Sequence, residues 1–135
     1  MATTEEAIKR ALLERVETLA LGIDTVWPNK SYAPAAQKYL RVQFVPNITE
    51  RPFMGSADSH QFMGILLLSV FWPLNAGTND LDALVGKVVE HFPADLNLYS
   101  DGVRVMVTKR PTVRPMLTES TCVHVPIEVS YQSFH

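Results

Sequence analysis

Few residues in this chain have the types and spacing that chemistry requires. Asp58, Ser59 and His60 supply the residue types of a hydrolytic triad. Neighbours in sequence cannot converge on one reacting atom, however, because a triad draws its side chains from separate segments. They read as a polar loop leading into a strand. No Gly-x-Ser-x-Gly elbow and no phosphate-cradling glycine loop is present. Cys122 and His124 stand two apart, so a strand would present both on one face, which is half of a metal site. The remaining histidines, His60, His91 and His135, show no ligand spacing with them. Two carboxylate pairs, Glu5 with Glu6 and Asp80 with Asp82, could support acid–base work. Both fall in first turns of expected helices, where the helix dipole already accounts for them. The residues therefore predict no catalytic group, no cofactor and no metal.

Two clusters point instead to contact. Lys109, Arg110 and Arg114 form the one basic group, broken by Pro111. It suits phosphates or the acidic residues of a neighbouring subunit, and the overall acidity favours the second. Arg51, Phe53 and Met54 lie in a long segment with no periodic pattern. Aromatic and Met side chains beside an Arg are what contact surfaces enrich, although Phe53 could equally tuck onto its own core.

Composition narrows the classes. The chain has 135 residues, 47% hydrophobic and 19% charged. That is enough for a single domain over residues 1–135 with a self-sufficient core, and too apolar for a disordered chain. Twelve basic against 14 acidic side chains leave a net charge of −2. Nucleic-acid binders normally carry a basic excess. One cysteine allows no intrachain disulfide. The acidic N-terminus lacks an apolar signal core, so secretion is not expected. The longest apolar run, within residues 65–72, is far short of a membrane helix.

The elements follow from periodicity. Ala7, Ile8, Ala11, Leu12, Val16, Leu19 and Ala20 recur at helical spacing. They predict an amphipathic helix over residues 4–21, opened by a Thr3–Glu6 capping box and stopped at Gly22. A weak strand is expected at 24–27 and an alternating one at 38–45. Residues 46–59, with Pro46, Pro52 and Gly55, read as a long loop, and such loops are usually functional. Residues 61–72 suit a central strand better than a helix, with a helix left open at 66–68. The stripe Leu81, Leu84, Val85, Val88, Val89 and Phe92 predicts a helix over 79–92, ended by Pro93. Asp101-Gly102 between apolar runs at 96–99 and 103–108 signals a tight hairpin. Residues 111–119 read as a connection. Residues 123–131 alternate again, and Pro126, which lacks a backbone donor, suggests a sheet edge or a bulge.

The order is thus α-β-β-β-α-β-β-β, an α+β fold. The short turns imply a mainly antiparallel sheet, with a mixed one left open, and both helices on one face.

Several short motifs in this order carry a family resemblance. They are Tyr39-Leu40-Arg41-Val42, a long loop with Gly55, and His60 and Gly64 leading to Val70-Phe71-Trp72-Pro73. Gly77 before a helix and the closing run from Val125 to Tyr131 complete them. Over nearly its whole length the chain resembles the lambda-type phage tail terminators and a related family of small phage proteins. The resemblance implies a non-enzymatic virion protein of a phage or prophage, made in the host cytoplasm. It implies a homo-oligomeric, hexameric ring that caps the tail tube, ends its polymerisation and presents a surface to the head. Implied partners are further copies of itself, the tail tube protein and a head-completion protein, with DNA only as cargo through the lumen and no membrane. Another neck or head–tail joining protein is the alternative, followed by a small-ligand domain or enzyme with an unrecognised site. A ring needs two different, complementary patches on each subunit. The candidates are Arg51, Phe53, Met54 and His60 in and beside the long loop, together with Arg110, Arg114 and Pro126.

Overall fold

The first helix, α1 (Thr4–Glu17), begins with the expected cap: the Thr3 side chain accepts from the Glu6 amide and the Glu6 carboxylate accepts from the Thr3 amide. In the computed structural model, residues 3–19, 22–27, 38–50, 60–74, 77, 79–119 and 122–135 are described. The helix ends at Glu17, four residues before the expected last helical position, 21. Thr18 closes it, with its amide bonded back to Arg15 and Val16, and Gly22 takes a positive φ of 76° beyond the cap. The second helix, α2 (Asn79–His91), follows its predicted bounds to within a residue.

Among the described residues the strands are β1 (Asp24–Val26), β2 (Tyr39–Glu50), β3 (Gln61–Pro73), β4 (Asn97–Ser100), β5 (Val103–Val107), β6 (Thr112–Val113), β7 (Leu117–Thr118) and β8 (Cys122–Phe134). They form one sheet ordered β1-β2-β3-β8-β5-β4, with β6 and β7 also on β8. Only β1 with β2 is parallel, so the sheet is mixed and the α+β class holds. The β4–β5 hairpin turns at Asp101 and Gly102, whose φ values of 48° and 77° are those of a type I′ turn.

Three expectations need correction. Strand β2 does not stop at Val45. It continues through Pro46 to Glu50 against β3, with a register shift between Pro46 and Ile48. Periodicity hid this, because a bulge breaks the alternation that marks a strand. The connection 111–119 contains β6 and β7, which continue the line of β5 along β8. Pro126 is consequently interior, between Ser69 of β3 and the β6–β7 side, and not at an edge. Its carbonyl accepts from the Arg114 amide at 2.9 Å. The N–H and C=O of one strand residue point the same way, so the missing donor of Pro126 faces Arg114, just past the end of β6 and before β7 resumes the pairing.

Alternation then assigns the faces. Leu40, Val42, Leu66, Leu68, Val70, Val105, Ile127 and Val129 are each at most 1% exposed. They form one core with Ile8, Leu12 and Val16 of α1 and Leu81, Val88 and Val89 of α2. Both helices therefore cover the same sheet face, in two layers. At the far end of the helix pair, the Arg15 guanidinium donates two bonds, of 2.8 and 3.0 Å, to the His91 carbonyl that ends α2. The His91 ring in turn lies within hydrogen-bond reach of the Thr18 hydroxyl and the Arg15 carbonyl.

Candidate assembly interface

The residues that alternate away from the core define the sheet's second face, on which no described helix packs. Cross-strand register places Tyr39, Arg41, Gln43 and Val45 of β2 beside Phe71, Ser69, Leu67 and Ile65 of β3. Those in turn lie beside His124, Pro126, Glu128 and Ser130 of β8. Apolar side chains are prominent here: Val45 is 46% exposed and Leu117, opposite His124, is 50% exposed. At one end the rings of Tyr39, Phe71 and His124 stack across three strands, with centroids 4.5 and 4.6 Å apart. The Arg41 guanidinium lies 5.2 Å from the Phe71 centroid, a cation–π arrangement.

Beside this stack sit Glu119, Cys122 and His124. The thiol of Cys122 lies 3.5 Å from one Glu119 oxygen, and His124 Nδ1 lies 3.6 Å from the other. The shared face of Cys122 and His124 is as expected. The separation from His124 is too long for a hydrogen bond, so the buried Nδ1 has no hydrogen-bond partner among the described residues, and Glu119 pairs with it only at ion-pair distance. Those residues include no group of three or more His, Cys, Asp or Glu suited to a metal.

Of the predicted contact residues, four lie among the described ones, and His60 stands apart from Arg114 and Pro126. Arg51, Phe53 and Met54, like Asp58 and Ser59, lie outside the described residues. His60 exchanges two backbone bonds with His135 at one end of the β3–β8 ladder. Pro126 sits nine residues back from His135 along β8, about 30 Å at strand rise. Arg114 does reach the neighbourhood of Pro126, and its guanidinium pairs with Glu128 at 2.8 Å. That bond raises the Arg114 pKa further. Arg114 is thus engaged within the subunit, and the basic cluster reduces to exposed Lys109 and Arg110. The carboxylate pairs sit in helix first turns, as the dipole reading requires.

A cleft of about 180 Å³ opens at the other end of the core, lined by Ile8, Phe44, Phe62, Met63 and Tyr131, with Glu5 beside them. Tyr131 stacks on Phe44 with centroids 5.6 Å apart. Its ring covers Gly64, its cross-strand partner. Burial pushes the Tyr131 phenol up to about 12. One carboxylate and one phenol held that high do not form an acid–base pair near neutral pH. The cleft is suited to apolar contact.

Sequence reasoning missed the Tyr39–Phe71–His124 stack and the place of Arg41. Each residue was legible as lying on one face of its own strand, but bringing three strands together requires register. The remaining surface is the outer side of the helices, where α1 exposes Glu5, Glu6, Glu14 and Glu17 and α2 exposes Asp80, Asp82 and Glu90.

Against this geometry the comparisons with known proteins are consistent. The model of the phage tail terminator protein family matches residues 7–131. The chain belongs to that family and is accordingly a phage tail structural protein. A solved chain known only by a sequence identifier superposes with a TM-score of 0.79 at 23% identity, covering 98% of this chain and 96% of that one. A chain from the virion of a native gene transfer agent particle superposes with a TM-score of 0.66 at 11% identity, covering 100% of both. At these identities the two superpositions speak for the fold. No curated protein matches the chain.

Proposed function

We propose that this chain is the subunit of a homo-oligomeric ring, hexameric by family resemblance, that caps the tail tube, ends its polymerisation and offers the surface to which the head joins. The carrying observation is the family match across residues 7–131. The fold agrees with such a role: two layers leave one whole sheet face with apolar side chains and no described helix on it. Its partners in this reading are other copies of itself, the tube protein and a head-completion protein. The ring sits at the head end of the tail, and DNA only passes through its lumen. The protein works by shape and contact and catalyses no reaction. The part of residues 46–59 beyond β2, residues 51–59, serves as an arm. Strand β2 carries that arm outward to Glu50, and Arg51, Phe53 and Met54, with His60 at its base, reach the tube or a neighbour. Arg110, Arg114 and Pro126 flank a second contact along β8.

The test adds the protein to polymerising tube protein and measures tube length by electron microscopy and molar mass by light scattering. Tubes should stop at a length set by the amount of protein added, each with a ring at one end. Unchanged tube growth, with no association at any ratio, would refute the reading. Replacing Pro52–Ala57 by two glycines should abolish capping yet shift stability by under about 1 kcal/mol, because loop length enters folding only logarithmically. A large loss of stability would make the segment part of the core.

A further inference from the structure

We infer that the face of the sheet on which no described helix packs, centred on Arg41, Val45 and Leu67, is the seat for the acidic helix layer of a second copy of this chain. This inference rests on the ring reading above and specifies which two surfaces make its repeating contact.

The chemistry of the two faces carries the argument. On the sheet face, the row Val45–Ile65 and the neighbouring Leu67 place branched apolar side chains side by side. None of the three belongs to the buried core. Two exposed arginines share this face, Arg41 opposite Ser69 and Arg104 opposite Tyr99. A sheet that exposes such a row gains by covering it. Counting the side chains of α1 and α2, seven acids stand against four bases, a net of −3. Two of those bases are already engaged: Arg10 with Asp101 at 2.8 Å, and Arg15 with the His91 carbonyl. On the outer side of α1, Leu13 lies in a shallow groove lined by Glu6, Glu14 and Glu17 and by Lys9 and Arg10, Arg10 being already paired with Asp101. The helix layer thus offers an apolar spot within a surface of net negative charge, and the sheet face an apolar row with Arg41 two residues along β2 from the Gln43–Leu67 pair. Desolvated contact with flanking opposite charge is the pattern that fixes register between protein surfaces.

The occupant is a second copy placed head to tail. Two sheet faces meeting each other would bring Arg41 of both copies to the same interface and would stop at a dimer. Sheet face against helix layer joins unlike patches on opposite sides of a two-layer domain, the contact that repeats around a ring. Strand spacing and rise give the six-strand face about 25 by 25 Å, roughly 600 Å² of projected area. That is below the ~800 Å² per partner of a standard stable interface. The contact should therefore be weak between free subunits and become stable once a template holds the copies side by side.

The experiment measures self-association by analytical ultracentrifugation over a concentration range, and ring formation on tube protein, for the wild type and three charge variants. Arg41→Glu should weaken association about tenfold, and Glu14→Lys with Glu17→Lys should do the same. The combined triple variant should recover to within about threefold of wild type. All three positions are exposed, and circular dichroism should confirm an unchanged fold. Arg41→Glu subunits that associate and form rings like the wild type would overturn this assignment while leaving the ring reading intact. So would a triple variant weaker than either parent. A wild type that stays monomeric, both alone and with tube protein, would overturn both.

Discussion

Gly64 offers the sharpest test of the packing. It lies in β3 directly opposite Tyr131 of β8. A Cβ added there would stand 2.7 Å from Tyr131 Cζ and 2.7 Å from the carbonyl oxygen of Val45, with the Tyr131 hydroxyl closer still. Heavy atoms do not sit at such separations, so Gly64→Ala forces the ring away or bends the strand. The backbone conformation itself is not the obstacle, because Gly64 is absent from the positive-φ glycines. Removing glycine from a strand should even gain about 0.5–1 kcal/mol through the unfolded chain. Against this stand overpacking of about 1–3 kcal/mol and part of the Phe44–Tyr131 stacking, about 0.5–1.5 kcal/mol. The net expectation is a loss of about 1–3 kcal/mol. Urea unfolding followed by tryptophan fluorescence should show a lower midpoint with an unchanged slope. Tyr131→Leu should relieve the clash, so Gly64→Ala combined with Tyr131→Leu should cost less than the two single changes together. A Gly64→Ala protein as stable as the wild type would refute the argument, since the ring over Gly64 would then be free to move.

Two further predictions follow from the core and the helix ends. Leu68→Ala, at a site with 0% exposure in the middle of β3, should cost about 2–5 kcal/mol by chemical denaturation; a loss below 1 kcal/mol would mean the two helices do not hold the sheet as described. His91 gives a pH signature. Burial lowers its pKa below the ordinary 6.5, outweighing the bond to the Arg15 carbonyl that raises it. The folded state then binds fewer protons than the unfolded chain between the two values. The contribution is therefore fully present above about pH 6.5 and is lost as pH falls through the folded pKa. Stability measured from pH 7.5 down to 5 should fall less steeply in His91→Gln than in the wild type, and parallel curves would contradict the assignment.

Much of the architecture was legible from local pattern because the physical causes are local. The Thr3–Glu6 cap, the apolar stripe of α2 and the Asp101–Gly102 turn each depend on residues within a few positions of one another, and each stands where periodicity placed it. The failures share a cause as well. The end of α1 at Glu17 depends on Arg15 and Thr18 meeting the end of α2, 73 to 76 residues away. The extension of β2 to Glu50 depends on β3 supplying partners past a bulge. Pro126 looked like an edge residue because the sequence records a missing donor but not that it faces Arg114, between the end of β6 and the start of β7.

The same division holds for the site. Alternation alone determined which side chains of each strand point together, and composition determined that no set of titratable groups suggests catalysis. Only the tertiary structure decided that β8, last in the chain, lies between β3 and β5. That placement stacks His124 on Phe71 and Tyr39, sets Arg41 over the same ring, and puts both helices on the opposite side. Strand order and register are long-range pairings, settled by the burial of the whole core rather than by any local run of residues. The second face, proposed here as the meeting surface between subunits, is therefore invisible until the strands are laid side by side.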